Sequence, residues 1–259
     1  VGQEISVTRL DYLLSDFQWV SVSGAVVELT NQFAYVSVGG GRTTFTLTGL
    51  PAGTYSALRF RVGVNPVVNH ADFTVLSPDH PLHPEVNGLH WGWQGGYVFI
   101  ALEGLLIKGG TPTVGLLYHI GGDGTATEAS VPLTLDFPRE SAAIVQFDLQ
   151  PFFKGPQALQ VATENSTHAR TGDAVAARFR TRLASAFVGR AGRATPVAAG
   201  AGSAAVAVKA AGTTPYAWRQ PSHFPIPRLP ADNPLTNEGV ALGARLFNER
   251  RLSVNDRQS

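Results

Sequence analysis

The chain has 259 residues and a formal net charge of +1, with 44% hydrophobic and 15% charged residues. That composition supplies a substantial core, and no Lys/Arg run points to nucleic acid or an anionic membrane as a partner. Cysteine and methionine are both absent, which excludes disulfides, thiolate or thioether metal sites, iron–sulfur clusters and covalent haem attachment within these residues. No run of about 18 apolar residues marks a membrane-spanning helix, and 28 glycines with 17 prolines suit the many turns of an all-β architecture.

The chain opens at Val1 with no charged-then-apolar leader, so it reads as a mature sequence from which any signal peptide has been removed. Residues 3–64 read as strands. An apolar pattern starts at Ile5, Val7 and Leu10, and Phe17–Val22 alternates. Ala25–Leu29 resumes after Gly24, Thr44–Thr48 alternates after the Gly39-Gly40-Gly41 turn, and Leu58–Val64 follows a Pro51–Tyr55 turn. Strands about every ten residues predict a sandwich or barrel-like fold. Residues 65–90 break the rhythm with Pro66, Pro78, Pro81 and Pro84 and read as one long loop, a common place for function. Strands return at Tyr97–Glu103, Val114–Ile120, Ala129–Leu135 and Ala143–Asp148. Asp173 then caps a helix whose stripe is Val175, Phe179, Leu183 and Phe187, packed on the sheet. The expected architecture is thus an all-β, antiparallel, sandwich-like domain over residues 1–188 with a C-terminal packing helix. An Ala/Gly/Pro-rich linker over 189–222 follows, and then a segment, 223–259, with a short helix from about Thr236 to Asn248.

Five of the seven histidines lie between positions 70 and 119: His70, His80, His83, His90 and His119. Neutral imidazole is the commonest side-chain ligand for copper and zinc. Solvated loop histidines are equally common, and His80-Pro-Leu-His83-Pro reads as a turn. Asp79 and Asp123 lie in Asp/Asn-rich loops and leave calcium open as a second cation. No H-E-x-x-H, G-x-S-x-G or convincing carboxylate pair is present, so the chain reads as a non-enzyme. In Gly88–Phe99, an extended backbone would put Trp91 and Trp93 on one face and His90 on the other. Such paired indoles are most often a core patch.

The run His90-Trp91-Gly92-Trp93-Gln94-Gly95-Gly96-Tyr97-Val98-Phe99, with Leu102-Glu103-Gly104 after it, resembles the signature of the MbnP family. Tyr12–Ser15, Leu50–Tyr55, Asp79–Leu82, Tyr118–Gly121, Phe147–Leu149 and Phe152-Phe153 resemble further family segments in the same order. The resemblance spans residues 2–188. It implies a periplasmic or secreted protein that binds copper, and a compact histidine-based site would hold about one ion per chain. It also implies a tryptophan that is oxidised to kynurenine, whose amine joins histidine at the metal. It ranks His90 and His119 first as ligands, since both lie inside matching motifs, with His168 third. Trp91 or Trp93 is the implied oxidation target, Trp19 being assigned to the core. Pro230–Thr236, Gly239–Phe247 and Arg250–Ser253 resemble the start of a di-haem cytochrome c peroxidase of the MauG/MbnH group. That second resemblance implies a parent protein in which the copper domain is fused to its oxidising partner. The chain stops before any haem motif, so no haem is expected in it. The rival expectation is an exported β-sandwich interaction module without a metal.

Overall fold

A computed structural model describes residues 3–92, 95–140, 142–156, 158–170 and 172–190, and beyond these residues 216, 236, 237, 239–241 and 243. The chain divides into two units, 1–201 and 202–259. The first is mostly β with few helices. Its strands are β1 (Gln3–Ser21), β2 (Val26–Leu29), β3 (Ala34–Ser37), β4 (Gly53–Val62), β5 (His90–Trp91) and β6 (Gly96–Lys108). They continue with β7 (Thr111–Gly121), β8 (Thr127–Phe137), β9 (Ile144–Phe147), β10 (Ser166–Thr167) and β11 (Phe187–Arg190).

The organising element is β1, a single 19-residue strand where the sequence suggests two. Its N-terminal half pairs with β6, from Gln3↔Lys108 to Tyr12↔Ile100, and its C-terminal half pairs with β4, from Leu14↔Val62 to Ser21↔Tyr55. Leu14 faces β3 on one edge and β4 on the other, while Tyr12 faces β3 and β6. Both long ladders therefore use the same edge of β1 in succession. The register shifts between Ser15 and Gln18, and Asp16 sits at φ 52°, a left-handed conformation that turns the strand. The strand passes from a layer ordered β10-β7-β6-β1 to a layer ordered β1-β4-β8. This corner makes the sheet sandwich-like. One ladder departs from the antiparallel expectation: β10 runs parallel to β7.

The main core lies between the layers. Leu10, Tyr12 and Leu14 of β1 meet Ile100, Leu102, Tyr118 and Ile120 on one side and Leu58, Phe60, Val131 and Leu133 on the other. The end of this core is closed by α3 (Gln150–Phe153) and α4 (Ala174–Leu183), whose Phe152 and Phe179 rings lie 4.6 Å apart and are fully buried. Each such ring contributes about 1.5–3 kcal/mol by leaving water. Asp173 caps α4 as expected. Phe187 is not the last residue of the helical stripe, however. The helix ends at Leu183, and Phe187 begins β11, pairing with Phe147 and lying edge-on to Phe60 at 4.9 Å. A ring at that position buries better in the aromatic cluster than on one more helical turn.

A second, smaller core covers the outer face of the β7-β6-β1 layer. Leu13, Tyr35, Val64, Leu82, Leu89, Trp91, Tyr97, Val98, Phe99 and Ala101 build it. β6 carries an extra residue at Phe99, since Val98 pairs with Gly121 and Ile100 with Ile120. That bulge lets Val98, Phe99 and Ala101 all reach this core. The long loop folds over it through α1 (Pro66–Asn69), a 3-10 turn (Phe73–Val75) and α2 (Pro84–Asn87). Residues 44–48 alternate in sequence but form no ladder. They are largely exposed, with Phe45 resting on Phe17 at 5.5 Å. Alternation alone makes no strand where no partner edge is free.

Most of the expected linker, 189–222, and of the segment 223–259 lies outside the described residues. In the second unit, the Thr236 hydroxyl accepts from Gly239 N–H at 3.0 Å and Val240 N–H reaches Thr236 C=O at 2.9 Å, the first turn of a capped helix described as far as residue 243.

Candidate functional site

The outer face of the β7-β6-β1 layer continues past the second core into a line of polar side chains. Pairing dictates who lies there. Asp11 is opposite both Ala101 and Ser37, Ala101 is opposite His119, and Arg9 is opposite Glu103. Residues directly paired or two apart along a strand share a face. Arg9, Asp11, Glu103, Ala101 and His119 thus form one surface. Arg9 Nε donates to Asp11 Oδ2 at 2.7 Å, and Arg9 Nη1 donates to Glu103 Oε1 at 3.0 Å. The same Glu103 oxygen lies 2.9 Å from His119 Nε2. Asp11 is buried, with 7% of its surface exposed. Burial pushes the Glu103 carboxyl up, but the bonds from His119 and Arg9 and the guanidinium charge outweigh it and hold the group below the usual carboxylate range.

His168 completes the line. The parallel ladder sets Thr167 opposite Tyr118, so the next residue of each strand stands abreast. The His119 and His168 rings lie 5.4 Å apart, nearly perpendicular at 84°. Among the described residues neither ring nitrogen of His168 has a hydrogen-bond partner. Burial, then the neighbouring His119 and Arg170, keeps His168 below the usual imidazole value, so its lone pairs are available near neutral pH.

His90 has a different setting. Its ring is 4.9 Å from Phe73 and 5.0 Å from Tyr97, and burial lowers its basicity. No described contact joins it to His119 or His168. It pairs with Tyr97, four residues along β6 from the partner of His119, a separation of about 13 Å at the rise of a strand. The structure thus brings two of the three ranked histidines together. β5 ends at Trp91, where the chain turns back through a bond from Gly95 N–H to Trp91 C=O. Trp91 is buried, and its indole lies over Gly121, where an added Cβ would sit 3.0 Å from Trp91 Cζ3 and 2.4 Å from the Tyr97 carbonyl oxygen. Gly121 is two residues from His119 and shares its face, so Trp91 borders the same surface. Trp93 and Trp218 lie outside the described residues. Trp19 is core, edge-on to Tyr55 at 5.6 Å.

The loop histidines are engaged in holding the backbone. His80 Nδ1 accepts from Leu82 N–H at 3.1 Å, and His83 Nδ1 accepts from Glu85 N–H at 3.3 Å, where it caps α2. His70 Nε2 lies 2.8 Å from Asp123 Oδ2, and Asp123 Oδ1 accepts from the buried Asn69 amide at 2.9 Å. Asn69 in turn accepts from Tyr97 N–H at 2.8 Å. Both oxygens of Asp123, named with calcium in view, thus have protein partners. Asp79 is bonded to Ser77 on the surface. Sequence reasoning missed Arg9, Asp11 and Asn69 and gave Glu103 no role. A carboxylate inside the apolar runs Leu10–Leu14 and Tyr97–Ile107 was the available signal.

Two imidazoles fit one copper ion in type and spacing. Metal–nitrogen bonds to imidazole run about 2.0–2.1 Å, so two rings around one ion have centroids roughly 4.5–6 Å apart. Among the described residues no group of three or more His, Cys, Asp or Glu is placed to hold a metal. No described helix is long and apolar enough to cross a membrane. No curated protein matches the sequence. The solved structure of MbnP from Methylosinus trichosporium aligns at 16% identity with a TM-score of 0.39, covering 66% of this chain and 75% of that one. The family model MbnP matches residues 1–169, and the chain therefore belongs to the MbnP family, a family associated with copper.

Proposed function

We propose that the chain is an exported copper-binding protein whose ion is held by His119 and His168. A tryptophan of the 90–99 segment, Trp91 or Trp93, is the target of a di-haem MauG/MbnH-type partner. The observation that carries this reading is the pair of adjacent, nearly perpendicular imidazoles, 5.4 Å apart, on the face that Trp91 borders. Two imidazole nitrogens suit copper but leave it under-coordinated. An aniline-type nitrogen from kynurenine, or water, supplies the remaining donor. Forming kynurenine opens the indole C2–C3 bond, with dioxygen or two equivalents of hydrogen peroxide as the oxidant at the haem partner placing one oxygen on each carbon; water then hydrolyses the N-formyl group and releases C2 as formate. The resemblance of residues 230–253 to the start of such an enzyme supports a fused parent protein. A tether between the two would then keep enzyme and tryptophan at an effective concentration of roughly millimolar.

Copper titration of the purified chain tests the metal reading. We expect about one copper per chain, lost in His119→Ala and in His168→Ala and retained in His90→Ala. Failure of the unaltered chain to bind copper, with or without co-expression of the haem enzyme, overturns it in favour of a metal-free interaction module. Co-expression should also make the peptide around residues 91–93 heavier by about 4 Da, the covalent mark of kynurenine. A mark confined to Trp19 or Trp218 refutes the tryptophan assignment.

A further inference from the structure

We propose that Glu103 is a positioning residue for the metal site. It fixes the His119 tautomer so that Nδ1, and not Nε2, is the ligating nitrogen. The proposal rests on the reading that His119 and His168 hold copper. A neutral imidazole has one N–H and one lone pair. The group 2.9 Å from His119 Nε2 is a carboxylate that accepts and does not donate when ionised, so the proton sits on Nε2 and the lone pair on Nδ1. Nδ1 is also the ring nitrogen nearer the backbone. His168 stands beside it, one residue past the short parallel ladder to β7, with its ring 5.4 Å from that of His119.

The carboxylate is itself held from behind. Arg9 binds Glu103 through Nη1 at 3.0 Å and Asp11 through Nε at 2.7 Å, using two edges of one planar guanidinium. Asp11 is pinned in the sheet between Ala101 of β6 and Ser37 of β3. The line Asp11–Arg9–Glu103–His119 is therefore anchored on three adjacent strands, β1, β6 and β7. Outer-shell carboxylates of this kind orient a ligating imidazole and raise its basicity, and their loss typically costs 10- to 100-fold in metal affinity.

The test uses the whole chain in two measurements. Long-range 1H–15N correlation spectra of the metal-free protein read the His119 tautomer directly. The Nε2–H form is expected, and a dominant Nδ1–H form overturns the proposal without any variant. Competition titration then compares copper affinities. Glu103→Ala should lose roughly 10- to 100-fold, with its His119 tautomers mixed. Glu103→Gln keeps an acceptor oxygen and should recover the tautomer and much of the affinity. An unchanged affinity in Glu103→Ala, with copper still lost in His119→Ala, sinks the positioning role and leaves the copper site standing. Absence of copper from a chain with the expected tautomer sinks the site instead. Loss of copper in Glu103→Gln as complete as in His119→Ala makes Glu103 a ligand and overturns the proposal.

Discussion

The segment from residue 65 to 90 and the outer face of β7 are both rich in histidine, and they engage the imidazoles differently. In the loop, His80 and His83 give their Nδ1 lone pairs to backbone N–H groups, and His70 is tied to Asp123. On the sheet, His119 has only Nε2 engaged, and His168 has neither nitrogen engaged among the described residues. A loop without ladders must satisfy its backbone donors with side chains, and a histidine one or two residues before a free N–H does that readily. A strand satisfies its backbone through its neighbours and leaves the side chain free. Histidine density therefore points to the loop, while histidine availability points to the sheet.

The largest expected effect breaks or confirms that contrast. A His80→Ala, His83→Ala double variant should bind copper with unchanged stoichiometry while losing thermal stability. A His119→Ala, His168→Ala double variant should do the reverse, losing the copper and little stability. Copper analysis alongside differential scanning calorimetry reads both. Copper lost from the loop variant and kept by the sheet variant would invert the assignment.

The next effect concerns what fastens the loop. Asn69 is buried and joins three elements, accepting from Tyr97 N–H at 2.8 Å and donating to Asp123 at 2.9 Å. Gly96 lies against it: an added Cβ would sit 3.0 Å from the Asn69 amide, and its φ of 151° is one that L side chains rarely adopt, so a larger residue there is strained. Asn69→Ala leaves the Tyr97 N–H buried without a partner, a cost of about 1–3 kcal/mol. For a domain of this size that lowers Tm by roughly 2–4 °C per kcal/mol. A change under about 1 °C on that scale would show that water replaces the amide and that the loop has another anchor.

Much of the fold was legible because strands announce themselves by alternation. The expected segments near 97–103, 114–120 and 129–135 all fall inside longer strands of the structure. What failed is instructive. β1 reads as two strands because Asp16 interrupts its pattern, yet the interruption is the bend that lets one strand serve two layers. Residues 44–48 alternate but lack a partner edge. The site was half legible. His119 sits in a motif that stands out, but its neighbours come from far along the chain, with Arg9 and Glu103 94 residues apart. His168 reaches it through a parallel ladder of two residues, too short to leave any period in the sequence. Contacts set by topology rather than by spacing carry no local signal.

The smallest expected effect is on the acid side, at the group that steadies the His168 strand. Asp173 accepts from Val175 and Ala176 N–H at 2.8 and 3.1 Å, capping α4, and from the hydroxyl of Thr167 on β10. Burial pushes its carboxyl up, but these bonds outweigh burial and hold it below its ordinary value of 3.8. A carboxylate depressed in the folded state contributes stability that is fully present above its unfolded pKa. That stability is lost as pH falls through the folded value. The Asp173 contribution to the urea midpoint should therefore hold down to about pH 5 and be lost below about pH 4, where the unfolded carboxyl protonates first. Asp173→Asn retains a good cap but no charge, so its midpoint should lie close to that of the unaltered chain at neutral pH and fall less steeply between pH 4 and 2.5 or so. Asp173→Ala should be less stable by about 1 kcal/mol at neutral pH. Curves for Asp173→Asn and the unaltered chain that stay parallel into acid would assign the acid limb to other depressed carboxylates, such as Glu164 with its Arg178 partner. The cap would then act by geometry alone.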